Sequence, residues 1–282
     1  MFKPMLCHDA HGTDVSVIPI GWVMEPKLDG WRWQIERTED GVKHIGGRNG
    51  REYDGPPPIT EALMFLPVGT VLDGEIIVAD GHSGSVGSAI SKGGDGCRFV
   101  AFDVLAVSGT DVTHEPWWTR REMLDTIALG FEFGHNLVVA TTPVSDVSQS
   151  VLNKWIDAGA EGAVCKAPGS RYLPGKRTRE WLKLKAVTTA DAIVIGFERG
   201  KGQSNGHLNA AMLLRMCDTG TETSCGLGSW CEDATANEKN WIGRRVELKC
   251  YGRFETGSPR HPVFLRFRDD LESLTGDTLQ KA

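Results

Sequence analysis

Short runs of alternating apolar and polar residues, each cut off by glycine, constrain the fold of this chain more than any other feature. A period of two marks a strand with one buried face, and 34 glycines supply the turns between such strands. Trp31 to Arg37 and Val42 to Ile45 read as a hairpin turning at Asp40-Gly41. Val71 to Ala79 and Arg98 to Val107 are apolar enough to be buried strands. Helical spacing is expected at Ile59 to Leu66, Trp118 to Leu129 and Gln149 to Ala158. Gly81 to Gly96, rich in glycine and serine, reads as a mobile linker; it lacks the Gly-Lys-Ser/Thr ending of a phosphate loop. Strands and helices together predict an α+β chain.

A length of 282 residues suits one large or two medium domains. A boundary is expected near Val187 to Ala190, dividing the chain into 1–187 and 188–282. The second part has short strands and a helix-like piece, Asn237 to Ile242, the size and pattern of a five-stranded OB-type β-barrel. No apolar run approaches the ~20 residues that cross a bilayer, and the first ten residues lack the features of a signal peptide, which predicts a cytoplasmic protein. Seven scattered cysteines predict reduced thiols rather than a disulfide framework. Cys225 and Cys231, with five residues between them and no second pair, are too far apart for a zinc site.

The net charge of −6 excludes a generally basic coat, so the position of the charge matters more than its sum. Seven basic residues against the single acid Glu180 lie between Lys166 and Lys185. Seven more, against four acids, lie between Gly243 and Asp270. Taken alone, each island is an ordinary solvated face.

Four segments carry chemistry. In Glu25-Pro26-Lys27-Leu28-Asp29-Gly30-Trp31-Arg32, an amine stands at a tight turn with Asp29 beside it and Arg32 able to meet phosphate or ribose. Protonated lysine is a poor nucleophile, and neighbouring cations with a bound metal are expected to lower its pKa. In Leu72-Asp73-Gly74-Glu75, Glu75 opens an apolar strand, where an acid is costly without a partner or solvent. Glu161 and Lys166 bracket the short apolar strand of Glu161-Gly162-Ala163-Val164-Cys165-Lys166. Glu75 and Glu161 are hard oxygen donors suited to magnesium bridging nucleotide phosphates, although each alone also reads as a solvated strand end. In Trp181-Leu182-Lys183-Leu184-Lys185, alternation puts both lysines on one face, which calls for an anion between them.

The order Lys-x-Asp-Gly-x-Arg, Gly-Arg-Asn-Gly, Asp-Gly-Glu, Phe-Asp, Glu-Gly-x-x-x-Lys and Trp-Leu-Lys-Leu-Lys resembles the covalent nucleotidyltransferases. Trp181 to Lys185 and Tyr172 to Arg179 look like the ATP-dependent DNA ligases among them. The resemblance implies a nucleotidyltransferase (adenylation, ATP-grasp-like) domain of antiparallel sheets with helices, followed by an OB-fold barrel. It implies ATP with magnesium (manganese as the substitute), a monomer, and nicked duplex DNA as partner. It implies AMP carried on Lys27, with Asp29 beside it in the turn, Glu25 on the adenine amine and Phe102 stacked on the base, although Phe102 also reads as an ordinary core aromatic. Arg32 and Arg48 would meet ribose and the 5′-phosphate of the nick, Glu75 ribose or metal, Glu161 metal, and Lys183 and Lys185 the α-phosphate. DNA contacts would come from Arg32, Arg48, Lys166, Arg171, Arg179, Arg266 and Arg268. Arg120 and Arg121 read as helix-surface residues. In the family's last motif, Arg-x-Asp-Lys, Asp270 stands where lysine is expected after Arg268-Asp269, and Gly47 stands where serine often precedes Arg48. An RNA ligase or a capping-type guanylyltransferase would use the same lysine, and a non-catalytic nucleic-acid-binding protein would show no covalent label.

Overall fold

The structure, a computed structural model, describes residues 2–10, 12–47, 49–78, 83–130, 137–185, 187–201, 206–254 and 256–272. The chain divides into two compact units, Met1–Lys185 and Ala186–Ala282.

Two sheets build the first unit. Sheet I runs in the order β1 (Leu6–Asp9), β11 (Arg177–Lys185), β10 (Gly162–Lys166), β2 (Val23–Lys27). Only β1 and β11 are parallel in it. Sheet II runs β5 (Arg51–Tyr53), β4 (Gly41–Gly46), β3 (Trp31–Thr38), β6 (Val71–Val78), β7 (Cys97–Val107), β8 (Thr110–Asp111), with β9 (Val138–Ala140) parallel to β7. Helices α1 (Pro57–Ala62), α2 (Ser83–Ser91), α3 (Trp117–Ala128) and α4 (Gln149–Asp157) complete the unit.

Register decides which side chains meet. On β10, Gly162 stands between Lys27 of β2 and Lys185 of β11, and Val164 stands between Glu25 and Lys183. Alternation therefore gathers Glu25, Lys27, Lys166, Lys183 and Lys185 on one face. The other face carries Met24, Ala163, Cys165 and Leu184, packed with Leu152 of α4. In sheet II, Arg32 pairs with Glu75 and Gln34 with Asp73, so these four share a face. Trp33, Ile35, Leu72 and Ile76 line the opposite face and pack with Ile59, Val86 and Leu124 of α1, α2 and α3. Burying each such large side chain contributes about 1.5–3 kcal/mol. Met5, Phe102, Leu105, Trp117, Tyr172 and Trp181 form a further cluster joining the two polar faces.

The expected Gly81 to Gly96 linker is corrected: Ser83–Ser91 is a helix. Val86, Ala89 and Ile90, at helical spacing, pack on sheet II and outweigh the local cost of its glycines.

The second unit is one antiparallel sheet, β14 (Glu222–Gly226), β13 (Asn209–Met216), β12 (Thr188–Arg199), β15 (Arg245–Cys250), β16 (Val263–Phe267). Short helices α5 (Cys231–Ala236) and α6 (Glu238–Trp241) lie between β14 and β15, and α7 (Asp269–Glu272) follows β16. Its core holds Val194, Leu214, Trp241, Leu248 and Phe264.

Candidate active site

Glycine opens the space in which Lys27 lies. A Cβ at Gly162, whose φ is +149°, would overlap the Leu184 carbonyl, and one at Gly30 would overlap the Ile76 carbonyl. Close approach at both points brings Glu161 and Glu75 to the end of β2. Lys27 Nζ pairs with Glu161 Oε2 and donates to the Leu28 carbonyl at 3.3 Å. Glu161 Oε1 receives Lys185 Nζ at 2.5 Å, and Glu75 Oε1 accepts the Gly30 N–H at 2.8 Å. Asp29 sits half-buried in the turn that follows Lys27.

The electrostatics of Lys27 run opposite to the sequence expectation. Burial pushes its pKa down, but Glu161 and then Glu75 more than offset this and hold the amine above the ordinary lysine value. Burial also pushes Glu161 up, yet Lys27 and Lys185 hold it below the usual carboxylate range. Glu75 is raised, because burial outweighs the pull of Lys27. The expected anion between Lys183 and Lys185 is supplied within the chain: Asp9 lies 3.3 Å from Lys183, and Glu161 pairs with Lys185.

Two residues along β2 the surroundings are drier. Glu25 is 2% exposed, and its Oε2 accepts from Lys166 Nζ at 2.8 Å. Glu25 Oε1 has no hydrogen-bond partner among the described residues. Lys166, 1% exposed, also donates to the Phe102 carbonyl at 3.1 Å and lies over the rings of Trp181 and Phe102. A buried, paired ammonium cannot reach DNA, which corrects the expected DNA contact at Lys166. Phe102 is itself buried, with the Arg32 guanidinium 4.5 Å from its ring centre.

Arg32 is held by a residue to which the sequence reading gave no role. Asp73 grips its Nε and Nη2 as a fork, the Nε bond being 2.7 Å. Tyr172 donates to Asp73 Oδ2 at 2.6 Å and accepts the Met5 N–H at 2.9 Å. Arg120 and Arg121 are also corrected: both are buried on α3, in the stripe that contains Trp117 and Leu124. Arg120 forks onto Asp103 with two 2.8 Å bonds and also donates to the Glu115 and Ser170 carbonyls. The missed signal was spacing, since positions 117, 120, 121 and 124 fall on one helical face.

Arg171 and Arg179 are exposed on the segment between β10 and β11 and on β11 itself. In the second unit, Arg266 pairs with Glu247 at 2.7 Å, and Arg268 reaches Asp191 at 2.8 Å and Asp270 at 3.1 Å. Arg48 lies outside the described residues. The cysteines are free, and no group of three or more His, Cys, Asp or Glu able to hold a metal occurs among the described residues. No helix among the described residues is long and apolar enough to cross a membrane.

The family model described as ATP dependent DNA ligase domain matches residues 4–185, which hold both sheets and every contact of the Lys27 cluster. The chain belongs to the ATP-dependent DNA ligase family. It is 32% identical over 201 residues to a protein of Mycobacterium tuberculosis named DNA ligase B, covering 66% of this chain and 39% of that protein. It is 31% identical over 217 residues to a probable DNA ligase of Pseudarthrobacter chlorophenolicus, covering 73% of this chain and 42% of that one. The chain thus spans about two fifths of these relatives' length. Among solved structures, one from a structure-function analysis of Lig E DNA ligases, described as DNA binding with a minimal scaffold, superposes with a TM-score of 0.70 at 21% identity. The match covers 95% of this chain and all of that one, and it establishes likeness of fold.

Proposed function

We propose that this ligase-family chain seals nicks in duplex DNA with ATP, through AMP carried on Lys27. The observation that carries the reading is the register that flanks Gly162 with Lys27 and Lys185, both paired with Glu161, two residues along from Glu25 and Lys183. An amine, two further cations and two acids converge there on a space that glycine keeps open.

Lys27 Nζ attacks the α-phosphorus of ATP. A P–N bond forms, the bond to pyrophosphate breaks, and pyrophosphate leaves with the electron pair. Once Glu161 relaxes its hold on Lys27 the ammonium gives one proton to solvent, because the lone pair is unavailable while the amine is protonated, and a second proton leaves to solvent as the P–N bond forms. Lys183 and Lys185, on the same face, are placed to exchange Asp9 and Glu161 for phosphate oxygens. The adenylate then passes to the 5′-phosphate of a nick, and the 3′-hydroxyl displaces AMP. Such transfers depend on positioning and charge neutralisation.

Glu75 and Glu161 fit magnesium, which takes only one or two protein carboxylates when phosphates and water complete its shell. Bound there, the ion would neutralise charge on the polyphosphate. For the base, Glu25 Oε1, without a partner among the described residues, suits a donor such as the adenine amine, and Phe102 suits stacking beneath it. The strand order of the second unit, with its helices between the third and fourth strands, supports an OB fold. Exposed Arg171 and Arg179 suit DNA phosphates.

Purified protein given labelled ATP and magnesium should gain one AMP on Lys27 by mass spectrometry and seal a nicked duplex. Lys27→Ala should do neither. Labelling from GTP alone would assign the chain to the capping type, and no label from either nucleotide would remove the enzymatic reading.

A further inference from the structure

The buried Glu25–Lys166 pair has a feature that its stability does not require. A carboxylate has two oxygens, and Lys166 satisfies one of them, leaving Glu25 Oε1 without a partner among the described residues in a dry setting. An unpaired buried acceptor is costly, so a group that supplies a donor at that point is strongly favoured over one that supplies an acceptor. Lys166 is fixed from three directions. Its Nζ bonds Glu25 and the Phe102 carbonyl, and it stands 4.5 Å from the Trp181 ring centre, 5.1 Å from that of Phe102 and 5.6 Å from that of Trp117. One ammonium thus ties the acceptor on β2 to the aromatic residue on β7.

We infer that Lys166 is a specificity-determining positioning residue: by holding Glu25 through Oε2 it keeps the carboxylate turned so that Oε1 accepts from a 6-amino purine and rejects a 6-oxo purine. The inference rests on the proposed adenylylation of Lys27 and adds a residue that chooses the base. Without Lys166, the Glu25 carboxyl has no counter-charge in apolar surroundings. Rotation of the carboxyl then carries Oε1 away from the point where it meets the amine, and the distinction between amine and oxygen is lost.

The test compares ATP with inosine triphosphate, which carries oxygen in place of the amine, as AMP or IMP donor to Lys27. Wild type, Lys166→Arg, Lys166→Met and the double variant Lys166→Met/Glu25→Gln are measured for kcat/KM of the labelling step. Wild type and Lys166→Arg should prefer ATP. Lys166→Met should lose about tenfold to a hundredfold of that preference, the worth of one charge-assisted hydrogen bond. The double variant, whose amide both donates and accepts, sets the floor of discrimination, and Lys166→Met should come close to it. If Lys166→Met fails to fold, Lys166→Gln, a neutral side chain with a polar end, reports in its place and should lose part of the same preference. An unchanged ATP-to-inosine ratio in the folded variants, with only the overall rate reduced, would make Lys166 a structural residue and overturn the assignment. If wild type labels with ATP but fails to prefer it, the Lys166 role alone fails. If wild type takes up neither nucleotide, the adenylylation reading fails and the role goes with it.

Discussion

Arg120→Met should destabilise the first unit more than any surface substitution, because Arg120 is fully buried and its side chain supports several groups at once. Its Nε and Nη2 satisfy both oxygens of Asp103, which is 1% exposed. Breaking one side of a buried ion pair costs about 3–5 kcal/mol, since the remaining charge is left uncompensated. The Glu115 and Ser170 carbonyls also lose their donor from Nη1, worth about 1 kcal/mol each. The expected loss is therefore about 5–7 kcal/mol, or roughly 10–28 °C in melting temperature for a unit of this size. Asp103 follows Phe102, so the fork also fixes the backbone of the proposed base-stacking residue, and labelling of Lys27 should weaken in parallel. Thermal melts of wild type, Arg120→Met, Asp103→Asn and the double variant measure the effect. The double variant should recover at least half of the loss, because a neutral pair leaves no stranded charge. A single-variant loss below about 1 kcal/mol would refute the reasoning.

Other perturbations follow from the same structure. His44 accepts from Trp33 Nε1 at 3.0 Å and reaches Thr60 Oγ1 at 2.9 Å, and burial depresses its pKa from 6.5 to about 4. Between those values the unfolded chain binds a proton that the folded one refuses, so stability should fall by about 2–3 kcal/mol as pH drops through that window. His44→Phe should flatten the pH dependence in denaturant melts, and an unaltered slope would contradict the assignment. Arg179→Ala should weaken nick binding equally across sequences and lower the salt slope of log affinity by about 1 in titrations; an unchanged slope would remove Arg179 from the DNA surface. Gly162→Ala should abolish Lys27 labelling, because a methyl there meets the Leu184 carbonyl in a positive-φ conformation that alanine resists; labelling within about twofold of wild type would show that the rung tolerates a Cβ.

The sequence alone determined much of the candidate site, because strand alternation is a local property. The period of two fixed that Lys183 and Lys185 share a face, and that Trp33 and Ile35 turn away from Arg32. Turn chemistry placed Lys27 at the end of one strand and Asp29 in the turn that leads to the next. What pairs with what was left to the tertiary structure, since register and sheet order bring together residues far apart in the chain. Lys166 read as a surface cation until the β10–β2 pairing set it beside Glu25. Asp73 and Tyr172, 99 positions apart, showed no common role until both met at Arg32. The state of Lys27 was decided in the same way: Glu161 and Glu75, far from it in sequence, reach it in space and keep its proton in place. Coulomb energy depends on distance in space, and a linear pattern carries that distance only where the chain is locally regular.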